Sequence, residues 1–400
     1  MDRVIVVGGG LAGVRAVEAL RARGHTGALT LVSAERHRPY DRPPLSKAVL
    51  AGDTDDTTVD ADWDALRCDL LLGERATGLR PGARGGVVTS TAGDLPFDGL
   101  VIATGAAPIR LPGDGRQRVL RTIDDARGLR AALTPGARIV IVGAGWIGAE
   151  VATAAAHRGC AVTVAEAADT PLAGALGPEA GALTAPWYAE AGVGLRTGVK
   201  VAAVEDGGLA LADGGRIEAD EVVAGIGVRP VLDWLEGSGL LLERGVATDA
   251  SFRVLTQDGA PRPDIVAVGD CAAWWSGRYG RRLLVEHWDT ALNAPETAAA
   301  TLLGQDAVYD AVPYFWSEQF GRMVQYAGGH TGSERIVHRG DPAGAGWAVA
   351  WLTGDRLDAI LTVNRPRDLV QARRVIAART PVDPSALADP GVPVRQAVRA

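Results

Sequence analysis

The sequence predicts an α/β fold built from parallel sheets and helices, followed by a smaller C-terminal α+β region. Two observations predict the α/β part: the same strand, glycine-rich loop and helix occur twice, and further buried strands end on glycine. The third observation is a change of pattern from about residue 313, where aromatic, strand-like segments precede a helical stretch at 368–377. The proline-rich tail after Thr380 is predicted to be irregular.

Length and composition indicate an ordinary globular protein. The 400 residues suffice for two or three domains, and 47% of them are hydrophobic. No apolar run reaches the roughly 18–20 residues that span a bilayer, and we expect neither a secretory segment nor a membrane partner. The formal net charge of −7 argues against nucleic acid as a partner. Three widely spaced cysteines, Cys68, Cys160 and Cys271, suggest a reducing, cytoplasmic environment.

The first copy of the repeated unit occupies the N-terminus. A strand at 3–7 leads into the first glycine loop, Gly8-Gly9-Gly10-Leu11-Ala12-Gly13, and a helix then runs to about Arg23. A second strand at 28–32 follows, and Glu35 lies just beyond it.

The second copy repeats this order in mid-chain. A strand at 138–142 leads into the second glycine loop, Gly143-Ala144-Gly145-Trp146-Ile147-Gly148, and a helix then runs to about Arg158. The next strand, 161–164, is followed closely by Glu166.

This arrangement is the one that binds a dinucleotide. The unpaired N–H groups and the positive end of a helix attract the pyrophosphate. The first glycine makes the tight turn, the second lets the backbone approach the phosphates, and the third lets helix and strand pack closely. An acid about 20 residues further on accepts hydrogen bonds from the ribose hydroxyls, as Glu35 and Glu166 would do. Two such units predict two Rossmann-like domains, and we expect no metal site.

Other predicted strands also end in small residues. Their carboxyl ends carry Thr104-Gly105, Gly227 and Gly269-Asp270. Small residues at this edge of a parallel sheet leave room for a ligand.

Taken together, the motifs resemble those of the FAD-dependent NADH:ferredoxin reductases that serve bacterial oxygenases. The most specific segment is Pro39-Tyr40-Asp41-Arg42-Pro43-Pro44-Leu45-Ser46-Lys47. Further matching segments are Arg121-Thr122-Ile123-Asp124-Asp125-Ala126, Val268-Gly269-Asp270-Cys271-Ala272, Glu286-His287-Trp288 and Pro313-Tyr314-Phe315-Trp316-Ser317-Glu318-Gln319. The resemblance covers nearly the whole chain.

The resemblance implies a division into domains. The FAD-binding domain would be split into residues 1–113 and 246–315, with an NAD-binding domain at 114–245 inserted between them. A C-terminal α+β reductase domain, residues 316–400, would cover the flavin.

The resemblance also implies roles for individual residues. Gly8 through Gly13 would bind the FAD pyrophosphate, and Asp270 the ribityl chain. Arg42 and Lys47 would lie beside the flavin, Arg121 would lie near the cofactor, and Ala76 would contact the adenosine. Trp288 would contact the flavin through its backbone, just before a helix predicted at about 290–303. One position departs from the family pattern, because Ala34 stands where an acid often meets the adenosine ribose and only Glu35 follows.

Lys47 and Glu150 are the candidate reactive pair. The resemblance places Lys47 near the reactive edge of the flavin and close to Glu150, which would steady the lysine while the ring gains negative charge. Lys47 and Lys200 are the only lysines in a chain whose other basic residues are arginines. Trp316 is either a core aromatic or a lid over the nicotinamide or flavin.

The implied reaction passes hydride from NADH to FAD and then single electrons to a ferredoxin-type iron–sulfur protein that feeds an oxygenase. Hydride transfer between stacked rings requires no catalytic base. Glu166, followed by Ala167-Ala168-Asp169 without an arginine, favours NADH over NADPH. The acidic ferredoxin would dock on local arginine-rich segments, for which the candidates are 36–42, 278–282 and 365–367.

Two alternatives differ in the use of the same cofactors. A disulfide reductase needs a redox cysteine pair on the helix near the flavin, and residues 38–52 contain no cysteine. A redox sensor of the apoptosis-inducing-factor type would bind FAD and NADH without rapid turnover.

Overall fold

The computed structural model describes residues 1–332 and 334–399. The chain forms two compact units. Unit 1 comprises Met1–Asp41, Thr57–Ala107 and Arg229–Pro313. Unit 2 comprises Arg42–Asp56, Pro108–Val228 and the residues from Tyr314 onward.

The strands are, in chain order, β1 (Arg3–Val7), β2 (Ala28–Ser33), β3 (Asp69–Leu72), β4 (Ala76–Pro81), β5 (Gly86–Ser90), β6 (Gly93–Phe97), β7 (Gly99–Ile102), β8 (Ala106–Pro108), β9 (Gln117–Arg118), β10 (Arg138–Val142), β11 (Ala161–Ala165), β12 (Gly194–Arg196), β13 (Val201–Glu205), β14 (Gly208–Leu211), β15 (Arg216–Glu218), β16 (Glu221–Ala224), β17 (Val228–Pro230), β18 (Val246–Thr248), β19 (Arg253–Leu255), β20 (Pro261–Ala267), β21 (Ala272–Ser276), β22 (Arg281–Leu284), β23 (Tyr314–Gln319), β24 (Arg322–Gly328), β25 (Arg335–Arg339), β26 (Trp347–Thr353) and β27 (Arg356–Val363).

The helices are α1 (Leu11–Ala22), α2 (Ala48–Ala51), α3 (Trp63–Leu66), α4 (Ile123–Ala132), α5 (Trp146–His157), α6 (Ala173–Ala182), α7 (Pro186–Glu190), α8 (Trp288–Leu302), α9 (Pro366–Ala378) and α10 (Pro384–Ala388). Short 3₁₀ helices occur at Pro43–Ser46, Asp233–Leu235, Gly269–Cys271 and Val394–Gln396. Within the described residues, none of these helices is long and apolar enough to cross a membrane.

Unit 1 is organised around a nine-stranded sheet of order β22-β21-β18-β19-β20-β7-β1-β2-β3. Its centre is parallel, because β1 pairs in parallel with β2 and β7, and β7 with β20. The central strands are buried on both faces, so they consist of nearly continuous valine, isoleucine and leucine. Helix α1 packs against α8 in one apolar cluster that includes Val17, Leu20, Ala298 and Leu302.

Unit 2 contains a second parallel sheet, of order β12-β11-β10-β16-β9. It also contains an antiparallel sheet of order β23-β24-β27-β26-β25, which the aromatic segments after residue 313 form. Three aromatic residues of this antiparallel sheet, Tyr326, Trp347 and Trp351, lie in its apolar cluster. The predicted class, two Rossmann-like parallel sheets and a C-terminal α+β part, is confirmed.

Two details of the structure differ from the sequence prediction. The tail after Thr380 is not wholly irregular, because Asp383 accepts hydrogen bonds from the backbone N–H groups of Ser385 and Ala386 and so caps α10. The helix expected at about 290–303 begins two residues earlier, so Trp288 is its first residue rather than its neighbour. The finer division at residues 113, 245 and 315 stays a prediction.

Candidate functional site

The first glycine loop, in unit 1, joins β1 to α1. Gly8 has a φ of 125°, which side-chain-bearing residues rarely adopt, and a Cβ there would overlap the carbonyl oxygen of Ala103. A Cβ on Gly13 would overlap the carbonyl oxygen of Gly8. Gly10 differs, because a Cβ there would meet no heavy atom within 4 Å. The fold itself therefore needs glycine at 8 and 13, whereas Gly10 faces open space.

The second glycine loop, in unit 2, has the same construction between β10 and α5. Gly143 has a φ of 101°, and a Cβ on Gly148 would overlap the carbonyl oxygen of Gly143. A Cβ on Gly145 would have its nearest neighbour, the carbonyl oxygen of Gly225, at 4.0 Å. The middle glycine again faces space that the protein leaves empty.

Both loops end at the start of a helix. Gly10 is the N-cap of α1 and Gly145 that of α5, and neither can supply a capping side chain. The first turns of both helices, which are fully described, carry no acidic residue. The N–H groups there are suited to an anion such as a pyrophosphate. The donor set and the open space at the middle glycine both fit a dinucleotide.

The acid of the second copy lies directly at its glycine loop. Glu166 accepts hydrogen bonds from the backbone N–H of Ala144, at 2.6 Å, and of Ala168, at 2.8 Å. These two hydrogen bonds fix the carboxylate at the end of β11, beside the second glycine loop. A carboxylate so fixed can accept the ribose hydroxyls of a dinucleotide.

The acid of the first copy lies in a different place. In the second copy Val142 pairs with Ala165, and Glu166 is the next residue. In the first copy Val7 pairs with Val32, so the residue that corresponds to Glu166 is Ser33. Glu35 lies two residues further along and accepts a hydrogen bond from the Tyr40 hydroxyl. Sequence reasoning missed both Ser33 and Tyr40, although Tyr40 stands within the segment that carried the resemblance. The role of Glu35 stays a prediction.

Other predicted residues of unit 1 lie at strand ends and turns. The Thr104 hydroxyl donates to the carbonyl of Val231 at 2.9 Å. Gly105 and Gly269 have φ values of 67° and 73°, so both bend the chain in the left-handed region. A Cβ on Gly269 would be 2.9 Å from that of Ala12, which places the Gly269-Asp270 turn against the start of α1.

Two further predictions concern unit 1. The Trp288 indole N–H donates to Asp41 Oδ1 at 2.7 Å, so the side chain as well as the backbone of Trp288 is fixed. Ala76 is the half-buried first residue of β4 and packs against the apolar cluster of that unit.

In unit 2, Arg42 and Arg121 come together. The Arg42 guanidinium donates to the carbonyl of Arg121, and the backbone N–H of Arg121 donates to Asp125 Oδ2 at 3.2 Å. Asp125 also completes a capping box with Thr122 at the start of α4. Gly227, with a φ of 105°, ends the segment after β16, and its carbonyl accepts from Ile109 N–H at 3.0 Å.

Lys47 and Glu150 also form a pair within unit 2. Lys47 Nζ lies 2.9 Å from Glu150 Oε2, and the two side chains are 18% and 3% exposed. A buried carboxylate requires several partners, since removing it from water costs several kcal/mol. Two hydroxyls supply them: Ser46 Oγ donates to Oε2 and Ser317 Oγ donates to Oε1 at 2.6 Å. The predicted proximity of Lys47 and Glu150 is thus present, and both serines were missed.

Aromatic side chains lie on both faces of β23, the strand that carries Ser317. Phe315 packs edge-on against Trp146, with ring centroids 4.4 Å apart. Trp316 points to the other face of the strand and stacks with Tyr314, with centroids 6.2 Å apart. Ile147, next to Trp146 in the first turn of α5, is 43% exposed. An exposed isoleucine at a candidate dinucleotide site can contact a ligand ring.

The three cysteines are free thiols. Burial raises the pKa of the Cys68 and Cys271 thiols to about 11, and it also raises the pKa of Cys160. Thiolate, the nucleophilic form in disulfide exchange, is therefore disfavoured at neutral pH.

Several arginines predicted for docking are in ion pairs. Arg278, 11% exposed, lies 2.9 Å from Asp310, Arg282 lies 3.3 Å from Glu243, and Arg365 is paired with Asp368. These pairs make the three arginines weak candidates for a partner surface.

Two dinucleotide sites of one construction on a single chain, with a buried lysine–carboxylate pair, define a pyridine-nucleotide-dependent oxidoreductase. The chain belongs to the pyridine nucleotide-disulphide oxidoreductase family, whose pattern matches residues 2–296, and residues 314–398 match the reductase C-terminal family.

The chain is similar over its whole length to named reductases. It is 39% identical over 404 residues to the anthranilate 1,2-dioxygenase system ferredoxin–NAD(+) reductase component of Burkholderia cepacia, which covers 98% of each chain. Among solved structures, Fdr9 is 50% identical with a TM-score of 0.93, covering 98% of this chain and 99% of that one. Putidaredoxin reductase in its covalent complex with putidaredoxin is 34% identical with a TM-score of 0.92, covering 99% and 97%.

Proposed function

We propose that this protein is an FAD-dependent NADH:ferredoxin reductase that serves an oxygenase, either a cytochrome monooxygenase or a ring-hydroxylating dioxygenase. The observation that carries the proposal is the pair of glycine loops with open middle glycines, in a chain that matches a ferredoxin–NAD(+) reductase component over 98% of its length. A binding module for a single dinucleotide would need only one such loop.

Unit 1 is proposed to hold FAD. The first glycine loop binds the pyrophosphate through the backbone, with Gly10 leaving room for the phosphates and Leu11 and Ala12 contributing N–H groups. Asp270 binds the ribityl hydroxyls, and the turn at Gly269 that positions it supports this role. Further FAD contacts within unit 1 are proposed for Glu35, Ala76, Thr104, Gly105 and Trp288.

The second glycine loop in unit 2 is proposed to hold NADH. Its pyrophosphate meets the N-terminus of α5 at Gly145, Trp146 and Ile147, and Glu166 accepts the ribose hydroxyls. A 2′-phosphate would bring negative charge onto that carboxylate, so NADPH is disfavoured. Gly227 and Trp316 are proposed to lie near the nicotinamide.

Bound FAD supplies the change from a two-electron donor to a one-electron acceptor. The protein contributes position and electrostatic field. Lys47 offsets negative charge that develops on reduction, and Glu150 keeps its ammonium in one place, as their 2.9 Å contact supports. No side chain is assigned as a proton donor or base, since hydride moves between the cofactors directly.

A groove on α9 is the better candidate for the ferredoxin surface. It has a volume of about 510 Å³ and is lined by Arg367, Arg374 and Arg395 around Val370, which is 52% exposed. Within the described part of the chain, these three arginines make no ion pair. Unpaired positive charge in a protein of net charge −7 suits a small acidic partner.

A cytoplasmic location is part of the proposal. The three free thiols are compatible with a reducing compartment.

The experiment uses purified protein reconstituted with FAD. Acid extraction identifies the flavin, and anaerobic mixing with NADH follows the loss of its absorbance near 450 nm. We expect FAD, fast reduction by NADH, and rapid reoxidation by an added [2Fe–2S] ferredoxin. FMN, or no flavin after reconstitution, would contradict the cofactor assignment. A reduced flavin–NAD complex that persists in the presence of ferredoxin would instead identify a redox sensor.

A further inference from the structure

Three separate segments of unit 2 meet at one carboxylate. Glu150 lies on α5, Ser46 and Lys47 lie at the end of a short 3₁₀ helix, and Ser317 lies on β23. Ser46 is 104 and Ser317 is 167 residues from Glu150 along the chain. Both oxygens of the carboxylate are therefore engaged by residues that only the tertiary fold brings together.

The contact with β23 follows from two matched periodicities. Trp146, Glu150 and Thr153 are four and three residues apart, so they share one face of α5. The strand presents Phe315 to Trp146 and Ser317 to Glu150. One step further, the Phe320 backbone N–H donates to Thr153 Oγ1 at 3.0 Å. The hydroxyl of Ser317 thus meets the carboxylate between two further contacts that hold helix and strand in register.

The direction of the Ser317 hydroxyl is also determined. Gln319 Nε2 donates to Ser317 Oγ at 3.0 Å, and both side chains are buried. A serine hydroxyl has a single proton to donate. With Gln319 donating into the oxygen, that proton is directed to Glu150 Oε1 at 2.6 Å. The chain from Gln319 through Ser317 ends at Oε1 of the carboxylate whose other oxygen, Oε2, lies 2.9 Å from Lys47 Nζ.

We propose that Ser317 is a positioning residue for electron transfer: β23 uses its hydroxyl to hold Glu150 in the orientation that fixes the Lys47 ammonium. The consequence for flavin reduction rests on the proposed function, whereas the effect on Lys47 does not. Without the hydroxyl, Oε1 loses its buried donor, and the contacts that remain are those of Ser46 and Lys47 with Oε2 and of Lys47 Nζ with the Pro43 carbonyl oxygen at 3.3 Å. These contacts alone are proposed to fix the carboxylate, and through it the ammonium, less strictly.

The lysine content allows a direct test in the protein without cofactor. The chain has only Lys47 and Lys200, and Lys200 is exposed, so it serves as an internal reference. An amine-acetylating reagent is applied for short times, and peptide mass spectrometry gives the acetylation rate of Lys47 relative to Lys200. In Ser317→Ala we expect this ratio to rise about tenfold, the factor that one charge-assisted hydrogen bond is worth.

Matched variants separate this role from a general effect on packing. Ser317→Thr keeps the hydroxyl and should keep the wild-type ratio. Thr362→Val removes a fully buried hydroxyl from the same sheet, one that has no hydrogen-bond partner among the described residues, and should also leave the ratio unchanged. A ratio in Ser317→Ala equal to that of the wild type, with circular dichroism confirming folding, would overturn the proposal.

A double-mutant cycle tests whether Ser317 acts through Glu150. In Glu150→Gln, further replacement of Ser317 by Ala should leave Lys47 labelling unchanged. The same four proteins, loaded with FAD, are then reduced by NADH in a stopped-flow instrument. We expect about a tenfold slower limiting rate in Ser317→Ala and no added loss in the double variant.

The two readouts distinguish the two proposals. A wild type that is not reduced by NADH would contradict the proposed function while the labelling result still decides the role of Ser317. Equal losses from Ser317→Ala with and without the Glu150 carboxylate would show that the serine does not act through it, and would overturn the inference.

Discussion

The middle glycines of the two loops give a prediction that separates folding from cofactor binding. Gly10 and Gly145 have φ values of −84° and −77°, which any residue adopts, and a Cβ at either position would come no closer than 4.0 Å to a heavy atom of the protein. Alanine at either N-cap should therefore cost only about 0.5–1 kcal/mol of folding stability. Gly13→Ala should fail to fold, since its Cβ would overlap the Gly8 carbonyl oxygen.

The cost to binding should be larger than the cost to folding. A methyl group at the middle glycine stands where the phosphates approach the helix N-terminus. If it displaces one hydrogen bond between a backbone N–H and a charged phosphate, about 1.5–3 kcal/mol is lost. That corresponds to roughly 10–100-fold weaker binding.

The two substitutions should act on different cofactors. Gly10→Ala should weaken FAD binding to the apoprotein, measured by flavin fluorescence titration, and leave a flavin-free, folded chain after dilution. Gly145→Ala should retain its flavin but raise the Kd for NADH, measured by rapid reduction at several NADH concentrations. Each variant is the control for the other. Wild-type FAD affinity in Gly10→Ala, or flavin loss confined to Gly145→Ala, would refute the assignment of the loops.

Three further predictions concern the donor, the thiols and the partner. Glu166→Ala should lower kcat/KM for NADH by about 10–100-fold and raise kcat/KM for NADPH, because the charge that faces the 2′-phosphate is removed. A wild type that prefers NADPH would refute the role of this carboxylate. Replacing all three cysteines with alanine should leave NADH-to-dye turnover within about twofold, because the thiols, two of which have a pKa raised to about 11, stay protonated at neutral pH. Loss of flavin reduction in the folded variant would revive a disulfide mechanism. Arg374→Glu should slow ferredoxin reduction about tenfold at low salt and less at high salt, and it should leave dye turnover unchanged. The control is Arg84→Glu, at an exposed arginine of unit 1, which should change neither rate. Identical ferredoxin kinetics in the two variants would remove the α9 groove from the docking surface.

The parts of the fold that local pattern determines could be predicted from sequence. The strands and helices around both glycine loops end within about two residues of their predicted positions, because glycine spacing and apolar runs act locally. Glu166 was found for the same reason, since it follows its strand directly. The pairing of Lys47 with Glu150 came from family resemblance rather than from spacing.

The contacts that could not be predicted join residues that are distant from each other in the sequence. Ser317 and Glu150 are 167 residues apart. Nothing in the sequence near either residue indicates that β23 will bring a hydroxyl to the carboxylate on α5. Arg278 and Arg282 looked like a docking patch because their acids, Asp310 and Glu243, are separated from them by 32 and 39 residues. A charge count along the chain does not show which arginines are already paired.

The most direct test of the account is the electron balance between NADH and ferredoxin. A limiting, measured amount of NADH is added anaerobically to catalytic enzyme and excess oxidised [2Fe–2S] ferredoxin, and the reduced ferredoxin is counted by its visible absorbance. The account predicts two equivalents of reduced ferredoxin for each NADH consumed, at a rate that depends on the enzyme. Complete bleaching of the enzyme flavin by NADH with no ferredoxin reduced would contradict it.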